Sequence, residues 1–294
     1  MKMPLLRSKL FVPGTRPELF AKAFGGTADA ISFDLEDAVP EDAKARARAQ
    51  VAEFVRDTDM QGSGKRVIVR VNALDSPHFV ADVEAFAGLD VDLINLPKCE
   101  SAQAVIAAAA VLERVEAAAH RAAPVGLLVN VETPKALRLA VSIATAHPRV
   151  KGLQLGLGDL FEPFGIDRRD PRNVHAAMFA LRMAAAEAGV FCCDAAFAEI
   201  DDEEGYRAEA HMARQLGFVG KTCIHPKQVA LANAAFTAGP QEIERARRIV
   251  AAARLAAKSD CGAVLVDGSM IDAPYLRRAE AIIAAADDIP PKMK

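Results

Sequence analysis

Two acidic residues stand out by position. Glu132 follows the apolar run 126–131, and Asp159 comes just after the apolar run 152–157. If those runs are consecutive strands of one parallel sheet, both carboxylates leave the sheet at the same end, within several ångströms of each other. Two carboxylates facing one cavity repel unless a proton or a cation lies between them. A hard divalent ion suits the gap, because Mg2+ takes one or two protein carboxylates and completes its shell with water and substrate oxygens. Gly156 and Gly158 flank the approach to Asp159 and would let a ligand come close to the backbone. A plainer reading stays open: either acid could cap the helix after it, and Thr133-Pro134 looks like a helix start. Arg70 ends its strand within the stretch 66–72. An inward guanidinium beside a metal suits bidentate capture of a carboxylate, or charge stabilisation on a developing oxyanion. Its alternative is a salt bridge to Glu36 or Asp37 that holds the rim; the two roles are compatible.

Other chemistries lack their residues. No H-x-x-x-H or H-E-x-x-H spacing offers a zinc site, and no G-x-S-x-G elbow offers a serine nucleophile. His225 is the one histidine at a strand exit, and it reads as a loop-packing residue rather than a base. Five cysteines, an odd number with no C-x-x-C pair, argue against a disulfide scaffold and for free thiols in a reducing cytoplasm.

The elements that must position these groups alternate. Strand-like runs at 9–12, 30–35, 66–71, 92–96, 126–131, 152–157, 190–193 and 220–224 are separated by helical segments such as 41–57, 101–121, 134–146 and 172–188. Strand–helix alternation implies right-handed crossovers and a parallel sheet, and eight units favour a closed TIM (β/α)8 barrel over an open doubly wound sheet. No G-x-G-x-x-G follows the first strand, which weakens a dinucleotide-binding reading. The exits carry Glu36-Asp37, Arg70, Lys98, Glu132, Asp159, Asp194 and His225, and in a barrel these converge on one face. We therefore expect a barrel over residues 1–239 and a C-terminal extension over 240–294. In the extension, 241–259 reads as a helix, 260–262 as a turn, 263–266 as a strand, Asp267-Gly268 as a turn pair and 274–286 as a final helix.

Composition bounds the rest. The 294 residues carry 36 Lys+Arg against 39 Asp+Glu, with both signs interspersed, so nothing points to a nucleic-acid partner. No apolar stretch approaches the roughly 18 residues of a membrane span, and the N-terminus has no signal-like apolar region.

One ordered set of motifs runs through the chain: Arg7-Ser8-x-Leu10-Phe11-Val12-Pro13-Gly14, Asp34-Leu35-Glu36-Asp37-Ala38-Val39, Arg70-Val71-Asn72, Leu96-Pro97-Lys98, Val131-Glu132-Thr133-Pro134, Gly158-Asp159, Ile200-Asp201-Asp202-Glu203-Glu204-Gly205 and Gly220-Lys221-x3-His225-Pro226-Lys227-Gln228. It resembles the citrate lyase β-subunit group of the HpcH/HpaI aldolase and citrate lyase superfamily, with malyl-CoA and citramalyl-CoA lyases in the same group. The resemblance implies Mg2+ on Glu132 and Asp159, Arg70 against substrate, and cleavage of a β-hydroxyacyl thioester, citryl-CoA type, to acetyl-CoA and oxaloacetate. Glu36 and Asp37 would order metal-bound water. Arg7 and Arg16, near the first strand, would meet thioester-carrier phosphates. The stretch Val266-Asp267-Gly268-Ser269-Met270-Ile271-Asp272 resembles the lid of the thioester-cleaving members, whose last Asp reaches the site of an adjacent subunit. That implies Asp272 as the acid at carbon and a homotrimer. A CoA-independent class II pyruvate aldolase, and a carrier-dependent subunit of a larger lyase complex, are the rival readings.

Overall fold

The computed structural model describes residues 5–121, 123–257 and 263–289. Eight parallel strands close into a barrel in chain order: β1 Ser8–Pro13, β2 Ala30–Asp34, β3 Arg66–Arg70, β4 Leu93–Leu96, β5 Gly126–Val131, β6 Val150–Leu155, β7 Phe191–Asp194 and β8 Gly220–Cys223. This is the expected TIM barrel. β6 ends two residues before the sequence reading because Leu157 already opens a short helix, Leu157–Phe161. Outward residues such as Leu10, Val12, Ile31 and Phe33 share one apolar core with Ala47, Val51 and Val55 of the helix Lys44–Asp57.

Helix starts carry their caps. Ser101 accepts the amide of Ala104 ahead of Ala102–Ala118, and Asp170 accepts that of Arg172 ahead of Pro171–Ala188. The segment 134–146 is two helices, Pro134–Arg138 and Ala140–Ala144, parted at Leu139 by its φ of -100° and ψ of 12°.

The strand registers stack inward side chains in layers of four drawn from alternate strands. One layer is Lys9, Ile68, Leu128 and Cys193. The next, toward the C-terminal ends, is Ser32, Asn95, Gln154 and Thr222. Above it come Phe11, Arg70 and Asn130. The lower interior is apolar, with Leu6, Ala30, Ile68, Leu128, Phe191 and Cys193 packed together. Polarity therefore rises toward the face where the strands end.

The chain divides into two compact units, one up to Phe236 and one from Thr237 onward. In the second, the helix Pro240–Ala257 precedes strands β9 Val264–Val266 and β10 Ser269–Ile271, and the helix Ala273–Asp287 follows. The sequence reading had only a turn pair where β10 begins. Asp267 at φ 50° and Gly268 at φ 74° make the two-residue left-handed turn that joins twisted antiparallel strands, so the pair closes a hairpin. The expected turn at 260–262 lies outside the described residues. No helix among the described residues is long and apolar enough to cross a membrane.

Gly220 tests the lower end of the barrel. A Cβ there would sit against the carbonyl oxygens of Leu6 and Arg7, well inside contact distance. Backbone cannot rotate away as a side chain can. We expect Gly220→Ala to cost about 3 kcal/mol or more of unfolding free energy, checked by urea denaturation. A loss under about 0.5 kcal/mol would show that the β1–β8 seam yields freely.

Candidate active site

Glu132 leaves β5 pointing into the barrel mouth and is 3% exposed. Its Oε1 accepts the backbone N–H of Lys98 at 2.5 Å, and its Oε2 accepts Asn130 Nδ2 at 2.9 Å. The helix that follows is capped by Thr133, whose Oγ1 accepts the amide of Ala136 at 3.1 Å, so Glu132 is not a cap. Asp159 sits in the first turn of Leu157–Phe161, which has no side-chain cap. The capping alternative thus fails for both acids. They line one cavity of about 710 Å³ together with Phe11, Arg70, Asn130 and Gln154. Gly156 makes their approach possible, since a Cβ there would stand 2.5 Å from Glu132 Cβ and 2.8 Å from its Oε2.

Burial pushes the Glu132 carboxyl above its ordinary value; the Lys98 amide opposes this, and the negative charge of Asp159 adds to it. Among the described residues, no group of three or more His, Cys, Asp or Glu gathers for a metal. Glu132 and Asp159 therefore form a two-carboxylate, all-oxygen donor set. That is the sparse protein shell Mg2+ accepts, and a softer metal would want nitrogen or sulfur.

Arg70 requires a correction. Its Nε and Nη2 grip Asp34 Oδ1 and Oδ2, each at 2.7 Å, and its Nη1 lies 3.0 Å from Glu36 and 3.5 Å from Asp37. The bidentate edge expected to capture a substrate carboxylate is already occupied by Asp34. What Arg70 offers the cavity is positive charge and its Nη1 side. The sequence reading passed over Asp34 because it falls on the last residue of β2, before the exit at Glu36-Asp37.

Lys98 is the other residue that reading left without a role. Its φ of 51° is left-handed, a conformation that costs a non-glycine residue about 1–2 kcal/mol and clusters at functional sites. The bend aims its amide at Glu132, while its Nζ reaches Glu36 at 2.6 Å and Asp37 at 2.9 Å. Lys98 thus ties the Glu132 carboxylate to the Glu36-Asp37 pair. Burial raises the Glu36 carboxyl to about 7 against the pull of Arg70 and Lys98. Burial works the same way on Asp37, but there the Lys98 bond and the neighbouring charges prevail and the carboxyl falls below its usual range.

The pattern of the HpcH/HpaI aldolase/citrate lyase family matches residues 7–226. The chain belongs to that family. Over 307 residues it is 35% identical to an L-malyl-CoA/beta-methylmalyl-CoA lyase of Cereibacter sphaeroides, covering 96% of this chain and 95% of the relative. A (3S)-malyl-CoA thioesterase of the same species is 38% identical over the same shares. The citrate lyase subunit beta of Escherichia coli is 35% identical, with 96% and 93% covered. A solved structure of CitE from Mycobacterium tuberculosis, in complex with magnesium, acetoacetate and coenzyme A, superposes with a TM-score of 0.75 at 34% identity, covering 95% of this chain and 97% of that one.

One family-implied residue, Arg7, departs from its expected place. Arg7 is 4% exposed at the N-terminal end of β1, and its Nε and Nη2 hold Asp29 at 2.9 and 2.8 Å. It lies at the end of the barrel away from the mouth, so it cannot meet a carrier phosphate there. Arg16 follows β1 on the mouth side, is exposed, and pairs with Glu18. Asp272 stands at the N-cap position of Ala273–Asp287, yet its side chain makes no capping bond and its Oδ1 is buried without a hydrogen-bond partner. His225 accepts the amide of Lys227 at 3.2 Å, the loop role read from the sequence.

The raised Glu132 carboxyl gives a sign to test. Its ionisation penalty is absent below about pH 4.5 and grows as pH rises through the elevated folded value. In metal-free buffer Glu132→Gln should therefore raise Tm by about 2–4 °C at pH 8, with the gain shrinking toward pH 4.5. Differential scanning fluorimetry across pH decides it; a Tm lowered at pH 8 would mean that the carboxylate is a net structural asset.

Proposed function

We propose that this chain is a Mg2+-dependent carbon–carbon lyase that cleaves a β-hydroxyacyl-CoA thioester, of the citryl-CoA type, to acetyl-CoA and oxaloacetate. The observation that supports this most is the pair Glu132 and Asp159 at the mouth of one cavity, beside the Asp34–Arg70 and Glu36–Asp37–Lys98 clusters. When bound between Glu132 and Asp159, Mg2+ would supply Lewis-acid charge for the hydroxyl and adjacent carboxylate of the substrate.

The chain's own residues do the remainder. Arg70, pinned by Asp34, keeps a fixed positive charge near the oxygens where the keto group forms, with little reorganisation. Glu36 and Asp37, held by Lys98, order water at that rim, and that water takes the hydroxyl proton as the keto group forms. As the carbon–carbon bond breaks, its electron pair passes to the thioester fragment as an enolate, which needs a proton at carbon. Asp272 is our candidate for that acid. Its uncapped carboxylate suits the role, as does its place after the β9–β10 hairpin. Arg16 is our candidate contact for the phosphates of the thioester carrier. We place the protein in the cytoplasm, where its described cysteines, all free and buried, stay reduced.

The thioesterase relative favours one competing outcome, hydrolysis of the thioester without carbon–carbon cleavage. Incubation with citryl-CoA, malyl-CoA and citramalyl-CoA plus Mg2+, with product identification, separates the readings. We expect acetyl-CoA and a keto acid, none with EDTA, and none from Glu132→Ala or Asp159→Ala. Free CoA with intact hydroxy acid would make the chain a thioesterase. Cleavage of a free hydroxy-keto acid would make it an aldolase, and turnover only on a carrier-protein thioester would make it a subunit of a larger complex.

We further propose a homotrimer in which Asp272 serves a neighbouring subunit's barrel. Inactive Asp272→Ala and inactive Glu132→Ala proteins, mixed under conditions of subunit exchange, should regain part of the parent activity. No recovery despite exchange shown by native mass spectrometry would refute shared sites, and a fully active Asp272→Ala would leave that residue without a chemical role.

A further inference from the structure

Lys9 is a lysine inside the barrel that no step above uses. It is 0% exposed, and its layer-mates Ile68, Leu128 and Cys193 offer it no counter-charge. Its Nζ lies 4.3 Å from the centroid of the Phe11 ring, which belongs two layers up, so the ammonium points toward the mouth. That places it under the polar layer of Ser32, Asn95, Gln154 and Thr222. Lys9 Nζ, Ser32 Oγ, Asn95 Oδ1 and Gln154 Oε1 are all buried without a hydrogen-bond partner. The one carboxylate that faces inward nearby, Asp34, has both oxygens taken by Arg70.

The two free amide oxygens share a polarity. Asn95 turns its Nδ2 upward, to Asn130 Oδ1 at 2.7 Å and to the Leu128 carbonyl at 2.9 Å. Asn130 in turn gives its own Nδ2 to Glu132 Oε2. Gln154 likewise spends its Nε2 on the carbonyls of Leu155 and Asp194 and on Thr222 Oγ1. An amide chain of this kind has a direction. If Asn95 flipped, its oxygen would face Asn130 Oδ1, Asn130 would have to flip, and an oxygen would then confront Glu132. A cation at the lower end demands amide oxygens downward and so amide nitrogens upward, ending on the carboxylate.

We propose that Lys9 is a positioning residue for Glu132: its ammonium fixes the polarity of the Asn95–Asn130 chain that orients the carboxylate. This rests on the reading of Glu132 as a metal-binding group. Burial lowers the Lys9 amine to about 8, with the charge of Arg70 assisting and that of Asp34 opposing, so it is mostly charged at neutral pH and its ionisation costs stability. A residue that destabilises the fold while ordering a site trades stability for function, which gives the two effects opposite signs.

The experiment measures Mg2+ binding to the whole protein by isothermal titration calorimetry, with Tm beside it. Lys9→Met keeps the volume and removes the charge. We expect its Mg2+ Kd to rise about tenfold, the scale of a lost outer-shell partner, with Tm unchanged or higher. Lys9→Gln, which keeps a donor, should recover most of the affinity. Lys9→Met combined with Asn95→Leu should be little worse than the weaker single variant, because both cut one chain. A Kd for Lys9→Met within about twofold of the parent overturns the proposal, as do fully additive effects in the double variant. A lowered Tm or failure to fold on Lys9→Met also overturns it, because that is an ordinary packing role. Glu132→Ala is the control: if it binds Mg2+ as the parent does, the metal reading falls and this inference with it. If Glu132→Ala loses binding while Lys9→Met keeps it, this inference alone falls.

Discussion

Burying the Glu132 carboxylate is the constraint on which the rest of the mouth depends. A charged oxygen pair out of water is costly unless donors meet it, and here each oxygen receives one. Both donors carry costs of their own. The Lys98 amide is available because Lys98 adopts a left-handed backbone, and Asn130 is held by Asn95 from a layer below. Gly156 is required because any side chain there would overlap Glu132. A loop, a core layer and a strand exit are thus all shaped around one carboxylate, and its second lone pairs remain turned to the cavity.

The opposite wall is built on the same economy of charge. Asp34 and Arg70 neutralise each other through two short bonds, and that pair is nearly buried. Burial works against the Arg70 charge, but the Asp34 bonds and the charges of Glu36 and Asp37 prevail and raise its hold on the proton, so it stays charged during a reaction. Glu36 and Asp37 share Lys98 between them, and their different exposure separates their proton affinities. A carboxyl near neutrality beside one held ionised is the arrangement in which one group can exchange a proton while its neighbour holds charge.

The C-terminal unit supplies a contrasting device. Its small core of Ala246, Ile249, Val250, Val266, Ile271 and Ala279 is assembled from helix and hairpin alike. The left-handed pair Asp267-Gly268 sets the register that puts Asp272 directly after β10. Leu265 and Met270, cross-strand partners, remain exposed on that hairpin. These two exposed apolar side chains give the hairpin a face that suits contact with another chain.

Much of this was legible in the residues alone. Strand–helix alternation sets a parallel sheet with right-handed crossovers, and eight units of it favour a closed barrel. The barrel in turn forces strand exits onto one face, so Glu132, Asp159, Arg70 and Glu36-Asp37 could be grouped without coordinates. The ordered motifs likewise carried the family. What the sequence could not decide is who pairs with whom. The sequence offered Glu36 or Asp37 as partners for Arg70, whereas its bidentate partner is Asp34, 36 residues away, which meets it only through the β2–β3 register. Arg7 looked like a mouth residue because it is near β1 in sequence, yet it precedes that strand and so falls at the end opposite the exits, where it meets Asp29. The left-handed turn at Lys98 gave no signal, since nothing in Pro97-Lys98 announces a positive φ. The polar layer beneath the mouth was invisible as well: Ser32, Asn95, Gln154 and Thr222 come from four separate strands, and the barrel's register alone makes them neighbours. Local pattern sets the element and the face it presents, whereas long-range pairing follows from closing the sheet, and only the closed barrel supplies it.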